Sequence, residues 1–243
     1  MDEIRSNLQQ VLDRIEKACR TSGRDPQSVR LLMATKTVDA DRIKVALRSG
    51  QHLIGENKVQ EVKDKYEALK EVPHESHFIG HLQTNKIKEI LRCEVACVQS
   101  VDRLKLAEKL QQRLMLEDRQ LDVLIQVNTS EEESKFGVHP DEALALVRAV
   151  AGLDRLHIKG LMTIGLFSAE EQKVRACFRR LKNIQQQVEA LHLPGVEMQT
   201  LSMGMSGDLE IAIAEGATIV RVGTDIFGKR QYPDSYYWRE NKR

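Results

Sequence analysis

The sequence predicts an α/β chain closed into a single (β/α)8 TIM barrel, with an extra helix at its N-terminus. Three observations point there. Short β-branched apolar runs alternate with charged, helix-periodic stretches, and no low-complexity segment or Pro/Gly-rich linker interrupts them. The apolar runs number eight, the count that closes a parallel barrel, and 243 residues are enough for one. The first run continues into ATKTVDAD rather than a G-x-G-x-x-G turn, which argues against an open doubly wound sheet.

The elements follow in order. A helix over residues 2–20 places Ile4, Leu8, Val11, Leu12 and Ile15 on one face, with Gly23 and Pro26 beyond its end. The first strand is read at 29–35, running out at Lys36, and its helix at 39–49 stops at Gly50. Strand 52–55 is followed by helix 56–70, strand 76–80 by helix 84–92, and strand 95–99 by helix 101–117. The strongest strand signal is 121–128, with Val123, Leu124, Ile125 and Val127; its helix at 140–150 begins with a proline, whose missing N–H costs nothing there. Strand 157–162 precedes a long helix at 168–191, strand 196–201 a helix at 207–215, and 217–222 is the eighth strand.

Composition narrows the function. Lys+Arg total 37 and Asp+Glu 36, a net charge of +1, which excludes a strongly basic nucleic-acid binder and an acidic tail protein. Hydrophobic residues are 41%, enough for a substantial core, while aromatics are only 4%, too few for a base-stacking platform. The lack of an 18-residue apolar run argues against a membrane-spanning helix, and the polar start MDEIRSNLQQ argues against a signal peptide. Cys19, Cys93, Cys97 and Cys177 form no CxxC pair and have no His at metal spacing; they read as reduced thiols of a cytoplasmic protein.

A β/α barrel builds its site at the C-terminal strand ends. Those ends carry Lys36, Glu56 and Asn57, His81, Ser100, Asn128, Met162 and Thr163, Ser202, then Gly223 and Thr224. One lysine stands in this set and no opposed carboxylate pair, so paired-carboxylate chemistry is poorly supported, and no metal-ligand cluster emerges. A lysine in partly apolar surroundings gives up its proton more readily, and neutral lysine forms Schiff bases with aldehydes; the plain alternative for Lys36 is a solvated strand-end residue. The stretch SMGMSGD from 202 to 208 reads as a loop that follows strand seven and opens a helix, and Arg221-Val222-Gly223-Thr224 ends strand eight. Loops after strands seven and eight frequently bind phosphate, because small residues admit backbone N–H groups and hydroxyls add donors. The alternative is two ordinary turns with Ser206 as an N-cap. A Schiff-base lysine and a phosphate cradle on one rim suggest pyridoxal phosphate (PLP).

Seven ordered stretches carry a resemblance across essentially the whole chain. They are ATK with Lys36, GEN-x-VQE at 55–61, HFIGHLQTNK at 77–86 and IQVN-x-S-x-E-x-SK-x-G at 125–137, then KGLM at 159–162, LSMGMS-x-D at 201–208 and VRVGT-x-IFG at 220–228. Together they resemble the pyridoxal-phosphate homeostasis protein family (the YggS/PROSC type). Ser76 departs from the pattern, which has an aromatic before the His. The resemblance implies a fold like the barrel domain of alanine racemase, with residues 1–243 as one PLP-binding domain. It implies PLP in aldimine linkage to Lys36, a phosphate cradle of Ser202, Ser206, Gly223 and Thr224, and Asn57 as a neighbour of the ring. Arg221 matches the arginine that faces the pyridine nitrogen in the racemase-like superfamily, or else serves the phosphate. The implied role is vitamin B6 homeostasis with little or no turnover, as a cytoplasmic monomer without nucleic-acid or membrane partners, and with PLP-accepting apoenzymes as candidate recipients.

The competing reading is a PLP-dependent amino-acid racemase, which needs a second acid/base on the opposite face of the α-carbon. Superfamily racemases recruit it from an additional β-domain of a partner subunit. This chain runs about twenty residues past strand eight, and its Tyr232, Tyr236, Tyr237 and Trp238 suit a helix closing the barrel rather than that domain. Of the remaining polar residues, His77 reads as hydrogen-bonded core, and His81 and Asn85 as ligand contacts or helix caps. Ser134-Lys135 reads as a solvated loop or a lid, Arg179-Arg180 as surface, and Met203 and Met205 as packing under a loop.

Overall fold

The structure, a computed structural model, describes residues 1–228. Eight parallel strands close into a barrel in sequence order. They are β1 (Arg30–Ala34), β2 (Leu53–Glu56), β3 (Glu75–Phe78), β4 (Cys97–Val101), β5 (Leu121–Gln126), β6 (Leu156–Met162), β7 (Val196–Met205) and β8 (Ile219–Val222). The helices are α1 (Asp2–Thr21), α2 (Ala40–Leu47), α3 (Val59–Leu69), α4 (Ile87–Arg92), α5 (Leu104–Glu117), α6 (Ala143–Ala151), α7 (Glu171–Glu189), α8 (Leu209–Ala214) and α9 (Thr224–Phe227). β8 pairs with β1, Met33 opposite Val222, so the two ends of the barrel sequence become neighbours.

Strand alternation divides the core. Leu31, Met33, Val98, Val123, Ile125 and Val220 face the helices and join one large apolar cluster with them. The opposite set fills the barrel. Leu32, Leu53 and Ile219 form one small interior cluster, and Cys97, Leu124 and Met162 another. The polar residues His77, Gln99, Ser202 and Arg221 are also buried. The expected extra helix is present: α1 buries Ile4, Leu8, Val11 and Ile15, and it packs on α8, α9 and α2.

Most element ends differ from expectation by one to four residues, and two of the differences bear on the site. β4 starts two residues late and runs through Ser100, which is therefore a buried strand residue rather than a strand end. β7 continues to Met205, because its register with β8 shifts between Ser202 and Met205 instead of the strand stopping. Ser202 thus lies inside the barrel and not in a loop. Helix α9, of a single turn, was not signalled. The four cysteines are free and buried. Among the described residues no helix is long and apolar enough to cross a membrane, and no group of His, Cys, Asp or Glu could hold a metal ion.

Candidate functional site

The C-terminal rim brings Lys36, Asn57, Ser206, Gly223 and Thr224 to one end of the barrel, as expected. Lys36 is half-buried in the turn two residues past β1. Thr37 after it has φ 65°, a left-handed conformation that β-branched residues avoid. Gly223 lies against the end of β1: a Cβ on it would sit 2.7 Å from the Ala34 carbonyl oxygen. That close approach places the Gly223-Thr224 corner beside the Lys36 turn, although 187 residues separate Lys36 from Gly223 in sequence. Gly80 makes a similar contact across the next loops. A Cβ there would fall 1.9 Å from the Asn57 carbonyl oxygen, so only glycine lets the β3–α4 loop rest on Asn57. Asn57 is half-buried, and its Oδ1 is buried without a hydrogen-bond partner.

Ser206 lies in the turn after β7, but it is not a helix cap. Asp208 is the N-cap of α8, and its carboxylate accepts the Met205 N–H at 2.6 Å. Gly223 caps α9, and Thr224 is its first, exposed residue. Both closing loops are held from outside by Arg14 of α1. Its guanidinium donates to the Ser206 carbonyl at 2.8 Å, to Glu210 on α8 at 2.8 Å and to Asp225 on α9 at 2.7 Å. Nothing in the sequence marked Arg14, because an arginine on an amphipathic helix ordinarily reads as surface.

Arg221, on β8, is buried inside the barrel. It donates to Ser202 Oγ at 2.9 Å and to the Thr163 carbonyl at 2.7 Å. Among the described residues no carboxylate lies within ion-pair distance of it. Burial pulls this guanidinium down to about 10, with Asp208 pulling the other way. Ser202 passes the bond on, its hydroxyl donating to Gln99 Oε1 at 2.7 Å. The Gln99 amide nitrogen, which can only donate, lies 2.7 Å from His77 Nδ1. His77 therefore carries its proton on Nε2, which donates to Glu75 at 2.6 Å. Glu75 also accepts from Arg30 at the far end of the barrel, and its carboxyl is held at about 2, chiefly by the His77 bond. One directional chain of donors thus threads the interior. His77 is a bonded core residue, as read from the sequence.

The remaining candidates spread over the rim. His81 stacks on Phe136 with ring centroids 4.0 Å apart, joining the β3–α4 and β5–α6 loops. Asn85 lies in a one-turn 3-10 helix. Lys135 is not simply solvated, since it donates to Glu132 at 2.6 Å and to the Gly165 carbonyl at 2.8 Å. Arg179 and Arg180 are exposed on α7, as read, and make surface contacts with Glu215 at 2.9 Å and the Thr129 carbonyl at 3.2 Å. Met203 is fully buried and Met205 half-buried, in keeping with packing. Tyr232, Tyr236, Tyr237 and Trp238 lie outside the described residues. A cluster the sequence reading missed surrounds the Lys36 turn. Lys65, nearly buried, donates to Glu56 at 2.7 Å, to Glu61 at 2.9 Å and to the Thr35 carbonyl at 2.9 Å.

Known proteins give this geometry a family. Residues 2–231 match the model of the alanine racemase, N-terminal domain. The chain is 43% identical over 225 residues to the pyridoxal phosphate homeostasis protein of Aquifex aeolicus, spanning 93% of this chain and 97% of that one. A solved protein of Bifidobacterium adolescentis, described as unknown, superposes with a TM-score of 0.89 at 42% identity, covering 93% of this chain and 95% of that one. PipY of Synechococcus elongatus, solved with PLP bound, superposes with a TM-score of 0.77 at 30% identity, covering 88% of this chain and all of its own (100%). With its closed eight-strand barrel and whole-length identity to these relatives, the chain belongs to the pyridoxal phosphate homeostasis protein family, on the fold of the alanine racemase N-terminal domain.

Proposed function

We propose that the rim binds PLP as a Schiff base on Lys36 and that the protein serves vitamin B6 homeostasis with little or no turnover. The observation that carries this reading is Arg221, a buried cation with two neutral acceptors and no carboxylate within ion-pair distance among the described residues. A charge kept so deep without a counter-charge suits a ligand that brings acceptors of its own. PLP supplies an aldehyde, a phosphate and a pyridine nitrogen, and the rim has a group for each. Lys36 offers the amine. Ser206, Gly223 and Thr224 offer hydroxyls and backbone N–H groups for the phosphate, in a corner where Gly223 leaves no room for a side chain. The unpartnered Asn57 Oδ1 is a ring neighbour.

Ser202 also acts inside the barrel. Its hydroxyl donates to Gln99 and accepts from Arg221, so it sets the guanidinium. Arg221 directed at the pyridine nitrogen can only donate, which leaves that nitrogen unprotonated and the ring a poorer electron sink. Such an environment favours holding the cofactor over turning substrates over. The relatives' homeostasis role and the PLP of PipY support the same reading. The four buried free thiols suit a reducing, cytoplasmic setting.

The test is an absorbance spectrum of the purified protein before and after borohydride, with peptide mapping. A visible band that reduction removes, leaving a label on Lys36, is expected. Lys36→Ala should abolish the band with the fold intact; a band that persists in that variant, or a label on another lysine, overturns the reading.

A further inference from the structure

The motif GEN-x-VQE is explained only in part by Asn57, because its two acidic residues touch no proposed ligand group. Both converge instead on the two residues that flank Lys36, Glu56 on the Thr35 hydroxyl and Glu61 on the Thr37 N–H. Glu56 ends β2 and is 2% exposed. Glu61 lies in the first turn of α3, and Lys65 one turn further along. The Lys65 ammonium is shared by Glu56 Oε1, Glu61 Oε2 and the Thr35 carbonyl, at 2.7, 2.9 and 2.9 Å. Glu61 Oε2 also accepts the Thr37 backbone N–H at 2.5 Å, and Glu56 Oε1 the Thr35 hydroxyl at 2.6 Å.

The Thr35 carbonyl belongs to the peptide plane entering Lys36, and the Thr37 N–H to the plane leaving it. A peptide unit is rigid, so holding one atom of each plane on one cluster narrows the range open to φ and ψ of Lys36. Those two angles set the Cα–Cβ direction, from which the long side chain must reach its target. The unfavourable φ of 65° at Thr37 marks a turn that is held rather than relaxed. We propose that Glu56, Glu61 and Lys65 are positioning residues that clamp the Lys36 turn and aim its amine at the ligand aldehyde.

The inference rests on Lys36 being the anchor, and its test separates the two ideas. The full-length protein is used as Glu61→Ala, which leaves Lys65 paired with Glu56, and as Glu61→Gln, whose amide oxygen can still accept from Thr37. Amide exchange of the ligand-free chain reads the Thr37 N–H directly. Added PLP followed by borohydride gives the rate of Lys36 labelling, and pyridoxine 5′-phosphate, which lacks the aldehyde, reports the cradle alone. Losing a bond to a charged acceptor should speed Thr37 exchange and slow Lys36 labelling by about tenfold or more in Glu61→Ala. Glu61→Gln should stay within about threefold of wild type, and affinity for pyridoxine 5′-phosphate within about twofold for both. Wild-type labelling at another lysine overturns the anchor and this inference with it. Lys36 labelling or Thr37 exchange that Glu61→Ala leaves unchanged overturns the clamp alone, and so does a parallel loss of pyridoxine 5′-phosphate binding.

Discussion

Replacing Arg14 with methionine tests whether α1 holds the two closing loops of the site. Arg14 grips Glu210 with two nitrogens at 2.8 and 3.1 Å, Asp225 at 2.7 Å and the Ser206 carbonyl at 2.8 Å. One side chain therefore ties the turn after β7, the start of α8 and the start of α9. Arg14 is 36% exposed, Glu210 48% and Asp225 36%, so water screens both ion pairs. Each pair then contributes about 0.5 kcal/mol and the carbonyl bond about 1 kcal/mol. Methionine keeps much of the apolar stem, so the expected loss is about 2 kcal/mol, a fall of roughly 4–8 °C in Tm for a chain of this size. The assay is thermal unfolding of the ligand-free protein in low and high salt, alongside titration with PLP and with pyridoxal. Salt should narrow the gap between wild type and variant without closing it, because the Ser206 carbonyl bond survives screening. PLP should weaken more than pyridoxal if the loops that loosen are the ones proposed to hold the phosphate. A variant melting within about 1 °C of wild type, or an Arg14→Lys protein indistinguishable from it, would refute the reasoning, because lysine cannot bridge three acceptors in that plane.

Other outcomes follow from the same geometry. Ser206→Asp should weaken PLP far more than pyridoxal by charge repulsion; equal losses would move the phosphate elsewhere. Burial holds the Glu56 carboxyl at about 7, with Lys65 opposing and Glu61 reinforcing the rise, against an ordinary 4.5. The folded chain then binds more protons than the unfolded one between those values, so this contribution to stability is present below pH 4.5 and lost as pH rises through about 7. Denaturation midpoints should accordingly fall across that window in wild type and flatten in Glu56→Gln; identical slopes in the two proteins would sink the assignment. Glu75, held at about 2, acts in the opposite sense, its contribution fading only as pH falls below the ordinary carboxylate range. Incubation of the PLP-loaded protein with L-alanine in deuterated water should give no stereoinversion at enzyme-like rates of about one per second or faster. Inversion at such rates would restore the racemase reading.

What the sequence disclosed and what it hid have physical causes. β5 was legible because Val123, Leu124 and Ile125 form an unbroken apolar run that both faces of the strand bury. Lys36 and the Gly223-Thr224 corner were legible because barrel topology alone sends strand ends to one rim. The end of β7 was not, since Ser202, Gly204 and Ser206 look like a turn, and only the register shift against β8 keeps the strand going. Ser202 was consequently read as a loop residue, whereas its hydroxyl bonds Gln99 and Arg221 within the barrel. Glu61 and Lys65 stand four apart on a helix, the spacing of an ordinary solvent-facing pair. Their burial depends on β1 and β2 lying beneath them, which local periodicity does not encode.

The interior chain from Arg221 to Glu75 also limits how this barrel can vary. Each link gives a proton one way, so its members are not interchangeable parts but words in a fixed order. Gln99 stands at its middle, accepting from Ser202 and donating to His77. A glutamate there would keep the shape and reverse the grammar: His77 Nδ1 would need a proton of its own, and the ring would face acids on both sides. A change written at Gln99 would then be read two side chains away, at the guanidinium under the rim. A single exchange in this chain therefore leaves a donor or an acceptor unmatched unless a neighbour changes with it.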